Sequence, residues 1–230
     1  MNIGDKLMEF KNRNIGKVLA ALFVLSIVLF ACKKDGGAYE YVNKLNVYEG
    51  DVYQYLKSQS QFDSLTKVID RTPGLKEWMA EQANLTVFAL TNRSFDLAFT
   101  SLNKVRSDQS KPKMYIETAN QDQLGVMLDR YIIARKLTTD SLKFADGAFI
   151  KTAQLGYEMN AVDKSSNASG LVNGGPKSII FSDTKNSQYI KDWISTTTQA
   201  ENIHTKNAVV HIVGASHEFD FGEFTLGLNQ

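Results

Sequence analysis

Residues 86–95 read TVFALTNRSF, and this stretch decides the fold of the chain. Its first five residues are apolar or β-branched, and successive side chains of a strand point to opposite faces, so both faces of this strand must be covered. Thr91 or Asn92 can then cap a helix on which Phe95 and Leu102 share one face. The stretch therefore predicts a buried strand that turns sharply into a core-facing helix.

A second stretch of the same kind lies near the end of the chain, where residues 207–213 read NAVVHIV. Val209 and His211 share one face of a strand, and Val210 and Ile212 share the other. Because apolar side chains occur on both faces, this segment also predicts a strand that is buried on both sides.

Apolar residues at helical spacing predict further helices. One stripe ends at the turn sequence TPG and consists of Phe62, Leu65, Val68 and Ile69. Asn120 can cap a second helix, with Gln123 three residues on. The stripe of that helix consists of Leu124, Met127, Leu128, Tyr131 and Ile132. A shorter helix can start at Thr138 or Thr139 and run through Leu142 and Phe144.

The second half of the chain changes character to short strand-like runs between turn residues. These runs are residues 149–150, 155–157, 171–172, 178–181, 208–213 and 219–224. The sequence NGGP at residues 173–176 is a hairpin signal between two of them. Helices lead and strands follow, which predicts an α+β domain and not a doubly wound parallel sheet.

Two of these stretches resemble signatures of the fasciclin (FAS1) family. TVFALTNRSF is similar to the first signature, usually TVFAPTNxAF, and NAVVHIV is similar to the second, NGVVHVI. The resemblance covers roughly residues 47–224. It implies one fasciclin-like domain at residues 47–230, with a wedge-shaped β-sandwich or barrel flanked by several α-helices.

The same resemblance points to two candidate partner-binding residues. Arg130 and Tyr131 stand where the family has its Tyr-His motif, around which family members make adhesion or integrin contacts. The resemblance therefore implies partner contact for Arg130 and Tyr131. The helical stripe supports another interpretation, in which Tyr131 is a core aromatic residue and Arg130 its solvated neighbour.

Cys32, the one cysteine, closes an apolar run at residues 18–31 that follows several basic residues. This is the layout of a secretory signal, and the run is shorter than the roughly 20 residues of a spanning helix. The sequence LFAC at residues 29–32 resembles a bacterial lipobox, and the charged residues that follow resemble export signals of Bacteroidota-type surface lipoproteins. The resemblance implies a signal peptide at 1–31, a lipidated N-terminus and tether at 32–46, and attachment to the outer membrane at its periplasmic face or the cell surface. An uncleaved anchor with a buried cysteine is the alternative.

Composition and spacing argue against several functions. With 26 basic and 25 acidic residues, the chain has no electrostatic footprint for nucleic acid. His211 and His217 lie near Glu218 and Asp220, but their spacing fits no zinc pattern, so neither a metal nor another cofactor is predicted. In the fasciclin resemblance His211 belongs to the core-side signature, which implies a hydrogen-bonded structural histidine.

The function predicted from sequence is that of a non-enzymatic, membrane-anchored lipoprotein, without catalytic residues, that mediates cell-surface adhesion or binds a surface protein, matrix or glycan. An alternative is an accessory glycan-binding lipoprotein of an outer-membrane polysaccharide-uptake system. Its sugar-stacking platform would be Tyr39, Tyr41, Tyr48, Tyr53 and Tyr55, although partly buried tyrosines are common and the favoured interpretation makes them half-buried anchors of a helix and its lead-in. A third hypothesis, a cell-wall or polysaccharide hydrolase, rests on His217 beside Ser216 and on scattered acidic residues.

Overall fold

The computed structural model describes residues 46–143, 147–165, 175 and 177–230, which all belong to one compact unit. The signal segment, Cys32 and nearly all of the tether lie outside the described residues. So do Phe144, the predicted run at residues 171–172, and Asn173, Gly174 and Pro176 of the predicted hairpin. Within the described ranges, no helix has both the length and the apolar character needed to cross a membrane.

The described residues form helices and strands in mixed order. The helices are α1 (Val52–Lys57), α2 (Asp63–Arg71), α3 (Leu75–Glu81), α4 (Asn92–Asp108), α5 (Gln121–Asp129) and α6 (Phe224–Leu228). The strands are β1 (Asn46–Val47), β2 (Leu85–Ala89), β3 (Ile132–Ile133), β4 (Ala148–Lys151), β5 (Glu158–Ser165), β6 (Lys177–Asp183), β7 (Ile194–His204) and β8 (Ala208–Val213).

These strands join in one mixed sheet of order β3-β2-β8-β7-β6-β5-β4, with β1 alongside β7. The two signature strands, β2 and β8, are parallel neighbours. Every residue of both strands is buried, so their predicted burial on two faces is confirmed. Parallel strands covered on both faces need the near-continuous apolar runs that these two segments have.

Strand β7 bends the sheet onto itself. Its residues 194–197 pair with β6, whereas its later residues pair with β8, and the register shifts between Thr198 and Ile203. As a result Phe88 on β2 and Phe181 on β6 stack face to face, with their ring centroids 3.8 Å apart. The sheet is therefore barrel-like and nearly closed. The predicted α+β class, with a barrel-like sheet flanked by helices, is confirmed.

Two helix starts are capped by asparagine side chains, one of them from a distant segment. Asn120 Oδ1 accepts hydrogen bonds from the first turn of α5, as predicted. Helix α4 begins after Thr91, also as predicted, but no side chain caps it. Asn92 Oδ1 instead accepts the Ser64 backbone N–H at 2.8 Å, so it caps α2 and joins the two helices.

Helix α5 is shorter than the apolar stripe predicts. It ends at Asp129, Tyr131 follows in a turn whose N–H donates to Leu128 O at 3.0 Å, and Ile132 belongs to β3. The helical prediction for Tyr131 and Ile132 is wrong because a buried strand continues the apolar pattern that a helix began.

The strand predictions are partly right. Strands form at the predicted runs 149–150, 178–181 and 208–213. Residues 155–157 instead lie in a loop, and residues 219–224 form turns that lead into α6. The patterns also miss β5 and β7, which are rich in polar residues and are stabilised by pairing with their neighbours.

The short helix predicted from Thr138 or Thr139 is a single 3-10 turn, Thr139–Leu142. Thr138 is its cap, and Ser141 completes a capping box with it. The start signal was therefore correct, but the element is shorter than predicted.

Candidate functional site

Tyr131 is fully buried, with 0% of its surface exposed. Its ring stacks on Phe221 at a centroid distance of 5.4 Å. Its hydroxyl accepts the Asp220 backbone N–H at 2.9 Å and lies 2.7 Å from His217 Nε2. Because Asp220 N can only donate, the hydroxyl can give its own proton to a neutral His217. Tyr131 is thus a core aromatic residue, and its side chain could contact a partner only if this part of the core opened.

Arg130 lies in an ionic cluster and is not the solvated neighbour of the second interpretation, since only 16% of its side chain is exposed. Its Nη1 is 2.5 Å from Asp220 Oδ1 and 3.5 Å from Asp183 Oδ2. Its Nη2 is 3.0 Å from Glu223 Oε2. Lys185 Nζ completes the ionic cluster, 3.1 Å from Asp183 Oδ2 and 2.6 Å from Glu223 Oε1.

Tyr157 covers one side of the ionic cluster. Its hydroxyl donates to Asp183 Oδ1 at 2.8 Å, and the Arg130 guanidinium carbon is 5.0 Å from its ring centroid, within cation–π range. Burial, together with the hydrogen bond to Asp183, raises the pKa of Tyr157 above its usual range. The phenol therefore remains a hydrogen-bond donor at any physiological pH.

The ionisation of the ionic cluster follows from burial and charge. Burial by itself disfavours the charged guanidinium, but Asp220 and Asp183 outweigh it, and the pKa of Arg130 is raised. Burial raises the pKa of Asp220 against the opposing effect of Arg130. For Glu223, hydrogen bonds from Lys185 and Arg130 outweigh burial and lower the pKa. With three carboxylates and two cations, the cluster has one acid in excess, and burial favours the protonated form of Asp220.

The ionic cluster holds a strained loop. Asp220 (φ 69°), Phe221 (φ 50°) and Gly222 (φ 79°) are consecutive residues in the left-handed region. For the two residues with a Cβ this conformation costs about 1–3 kcal/mol each. The contacts of Asp220 with Arg130 and of Phe221 with Tyr131 offset that cost, so the loop depends on the two residues that follow α5.

A groove of about 570 Å³ lies between α5 and α6, directly above the ionic cluster. Val126 and Leu226 line the groove and are 52% and 79% exposed. The lining also contains Arg130, Asp220 and Glu223, so the groove has charged groups among apolar ones. Such a surface can bind an apolar side chain of a partner, while its charged groups select the charge of the partner residue next to that side chain.

His211 is a hydrogen-bonded structural histidine, as predicted. It is fully buried on β8, its Nε2 lies 3.0 Å from Leu137 O, and its Nδ1 accepts from Asn202 N at 3.3 Å. Because Nδ1 accepts, Nε2 carries the proton of the neutral ring. Burial lowers the pKa of His211 to about 4, so the ring is neutral at physiological pH.

The metal and hydrolase interpretations involve His217, which lies in a loop and not on a strand beside His211. Its Nε2 faces the Tyr131 hydroxyl, and burial lowers its pKa to about 4. Among the residues that the structure describes, no group of three or more histidine, cysteine, aspartate and glutamate side chains is placed to hold a metal ion.

Comparison with known proteins gives likenesses among solved structures. No protein-family model matches the chain, and no curated protein matches it. Among solved structures, it is similar to one described as "Novel Fold Revealed by the Structure of a FAS1 Domain Pair from the Insect Cell Adhesion Molecule Fasciclin I", with 9% sequence identity and a TM-score of 0.49. The match covers 71% of this chain and 49% of that chain, so the chain spans about half the length of that structure.

Sequence reasoning selected Arg130 but not its ionic partners. Asp220 and Glu223 lie 90 and 93 residues further along the chain, and no local pattern connects them with Arg130. The available signal was an arginine placed directly after an apolar stripe and beside a core tyrosine, since a buried arginine needs carboxylates around it. That signal predicts the need for acidic partners but cannot identify them.

Proposed function

We propose that this protein is a non-enzymatic lipoprotein, anchored in the outer membrane through a lipid on Cys32, whose fasciclin-like domain binds a partner at the cell surface. The lipobox and the two sequence signatures support the proposal. The signatures form β2 and β8, which pair with each other from Leu85 opposite Ala208 to Ala89 opposite Ile212. The segments that resemble the family thus belong to one structural unit of the sheet.

The observation that carries the proposal is the position of Arg130 in the groove between α5 and α6. The fasciclin resemblance implies partner contact at this position, and here Arg130 lies next to the exposed side chains of Val126 and Leu226. Arginine is enriched among the residues that dominate binding energy, and neighbouring contacts such as these contribute by excluding water from it. Partner binding is therefore assigned to this groove.

The charges of the groove indicate the chemistry of the partner. Asp122, Asp220 and Glu223 oppose a single cation, Arg130, in the lining. Since this lining has an acidic excess, it favours a partner segment with an apolar side chain next to a lysine or arginine. The partner is proposed to be a surface protein with such a segment.

Photo-cross-linking from Leu226 tests the groove in intact cells. With benzoylphenylalanine in place of Leu226, irradiation is expected to give a discrete adduct with a second protein, because this side chain is 79% exposed at the edge of the groove. The measurement is an immunoblot of the lipoprotein after irradiation.

The matched control is benzoylphenylalanine at Tyr115, which is 54% exposed outside the groove. Adducts of equal yield from both positions, or none from Leu226, would count against partner binding in the groove. Adding Asp122→Lys to the Leu226 variant places a second cation in the lining, which repels a basic partner segment, so a weaker adduct is the expected result.

The membrane anchor has a separate test. Cys32→Ala is expected to move the protein from the membrane pellet to the soluble fraction, because the lipid has no other site in a chain with one cysteine. The midpoint of urea unfolding should not change, since the domain begins after this residue. Retention of the variant in the pellet after a high-salt wash would contradict the lipid anchor.

Accessory glycan binding is the second candidate function. It is favoured by an exposed aromatic residue that is not one of the tyrosines predicted from the sequence. Tyr55 is buried, Tyr48 packs edge-on against it at 5.4 Å, and Tyr53 bonds Asp70, so these side chains are helix anchors and not a flat platform. Tyr39 and Tyr41 lie outside the described residues. An exposed aromatic ring occurs instead at Phe149, on the half of the sheet formed by β4 to β7.

A further inference from the structure

The half of the sheet formed by β4 to β7 has a second face on the side away from the core. Phe149, Asn160, Ser182 and Ser195 are directly opposite one another across the four strands. Residues opposite each other in antiparallel strands point to the same face. Phe181, the neighbour of Ser182 on β6, points to the opposite face and is buried in the core. The row from Phe149 to Ser195 therefore lies on the side away from Phe181, where Phe149 and Ser195 are exposed and Asn160 and Ser182 are buried.

A cleft of about 540 Å³ opens at one end of this face, along β7. Residues 194–197 of β7 pair with β6, while pairing with β8 begins only at Thr198. The loop at residues 214–222 takes the place of a neighbouring strand beside them. One wall of the cleft is thus a strand edge and the other is a loop.

The strand edge presents backbone groups to the cleft. Thr197 O accepts the Gly214 N–H at 2.8 Å, so the backbone of Thr197 points away from β6. Alternate residues of an antiparallel strand point their backbone groups to the same side, so those of Ser195 also point away from β6. The cleft therefore offers backbone donors and acceptors in addition to side chains.

The side chains of the cleft are rich in hydroxyl groups. Four of the lining residues have one: Ser195, Thr196, Thr197 and Ser216. Ser195 Oγ is 2.8 Å from Ser182 Oγ, whereas within the described part of the chain the other three hydroxyls have no hydrogen-bond partner. Each can both donate and accept, so the lining matches a ligand that has many hydroxyls of its own.

Glu218 supplies the charge of the cleft. It lines the cleft together with His217, which burial keeps neutral by lowering its pKa to about 4. Glu218 forms no ion pair with any described residue, so both of its oxygens are free to accept hydrogen bonds. A carboxylate with two free oxygens suits a pair of neighbouring hydroxyl donors.

Two aromatic rings adjoin the cleft without lining it. Trp193 directly precedes β7 and the lining residue Ile194, and its contact with Phe149 places it on the face of the sheet away from the core. Its ring meets Phe149 edge-on, with centroids 5.6 Å apart and an interplanar angle of 86°. Phe149 is 53% exposed and Trp193 is half-buried. Aromatic faces of this kind pack against the C–H faces of sugar rings.

The cleft is rigid without a ligand. Trp193 Nε1 donates to Ser187 O at 2.8 Å, which fixes the orientation of the indole. The loop wall is fixed by the bond from Gly214, where a Cβ would lie 2.8 Å from Thr197 O, so the close approach requires glycine. Groups that are already ordered lose little conformational entropy when a ligand binds.

We propose that this cleft, with the Trp193–Phe149 pair, is a binding site for a neutral carbohydrate chain. Sugar hydroxyls bond Glu218, the Ser and Thr hydroxyls and the free edge of β7, while a sugar face packs on the aromatic pair. This site is separate from the groove between α5 and α6, so it does not depend on the partner protein proposed there.

Two other ligand classes fit the cleft less well. An added peptide strand would find only residues 194–197 unpaired before the bond from Gly214 closes the edge, which is too short for strand addition. Serine and threonine are also under-represented among the side chains that dominate protein interfaces. An acidic glycan would meet the unpaired carboxylate of Glu218 and no cation in the lining.

Native gels that contain soluble polysaccharides test the site on the full chain. The probes are a β-glucan, a xylan, a galactomannan and glycogen, with dextran sulfate as the anionic comparison. At least one neutral polysaccharide is expected to retard the wild-type protein, and Trp193→Ala should weaken that binding about tenfold or more, as truncation of an aromatic anchor does. Glu218→Ala, which leaves the indole in place, should also weaken it.

Tyr115→Ala and Lys67→Ala are the controls, because both change exposed residues outside the lining of the cleft and should leave the retardation unchanged. The proposal is overturned if no neutral polysaccharide retards the wild-type protein, or if dextran sulfate retards it as strongly as the neutral chains. It is also overturned if Phe149→Ala and Glu218→Ala both bind like the wild-type protein while remaining folded by circular dichroism.

Discussion

Arg130→Met is expected to lower the free energy of unfolding by about 3–5 kcal/mol, the usual loss when one partner of a buried ion pair is removed. Methionine keeps most of the volume of the side chain but leaves Asp183, Asp220 and Glu223 with Lys185 as their only cation. The excess negative charge is then buried without compensation. Urea unfolding followed by tryptophan fluorescence measures the loss, with the slope of the transition used to check two-state behaviour.

Lys67→Met is the matched control for this variant. Lys67 and Glu117 form an ion pair at 3.2 Å, but their side chains are 60% and 63% exposed. Exposed pairs contribute at most about 1 kcal/mol, so this change should have a small effect. Equal losses for the two variants would show that the ionic cluster does not stabilise the fold.

The difference between wild type and Arg130→Met should also depend on pH in a defined direction. Without the guanidinium, which opposes the effect of burial, the pKa of Asp220 rises further, so the folded variant binds a proton more readily than the folded wild type. A group whose pKa is raised by folding contributes to the stability of the fold at low pH, and this contribution is lost as the pH rises through the pKa of the folded state. The destabilisation should therefore be smaller near about pH 5 than near about pH 8. A difference that grows on acidification would contradict this account of the cluster.

Acid is expected to destabilise the protein through His211 and His217. Burial lowers the pKa of each from 6.5 to about 4 in the folded state. The unfolded chain binds more protons between these values, so the stability that each neutral histidine contributes is full above pH 6.5 and is lost as the pH falls towards 4. At 1.36 kcal/mol per pKa unit, the loss is about 3 kcal/mol for each histidine.

Histidine variants separate this effect from other titrations. Burial raises the pKa of Asp220, which acts in the opposite direction, but Asp220 is present in wild type and variants alike. His211→Gln should flatten the fall in unfolding free energy between about pH 6.5 and pH 4, and His217→Gln should do the same. Identical slopes in the wild type and both variants would rule out the buried histidines as the cause.

Local sequence patterns predict the central strands well. A continuous apolar run can be stable in water only if both of its faces are covered, and the segments at residues 85–90 and 208–213 both have such runs. The start of α5 was equally predictable, because Asn120 caps through bonds that reach only two or three residues. These features depend on interactions between near neighbours in the chain.

The failures have a common physical origin. Strand β7 presents Ser, Thr and Gln to solvent and obtains its stability from β6 on one side and β8 on the other, so its own sequence contains little signal. A buried tyrosine at position 131 is compatible with a helical stripe and with a turn. Its residue type reflects burial and does not distinguish the two conformations. In both cases distant segments decide the conformation.

Arg130 illustrates the same limit for the candidate site. Its residue type showed that a charge lies next to the core, but its partners come from the end of β6 and from the loop before α6. The three left-handed residues of that loop are also invisible in sequence, since two of them are Asp220 and Phe221 and not glycine. Packing against Tyr131 imposes their conformation.

The amino-acid order alone thus establishes the α+β class, the two doubly buried strands, the capped helix and the balance of charge, because side-chain burial and capping act over a few residues. Folding in three dimensions decides which charges surround Arg130, where the loop before α6 is strained, and where the groove and the cleft open. The reason is that each of these features is formed by segments far apart in the chain, which only the closed sheet and the packed helices bring within reach of one another.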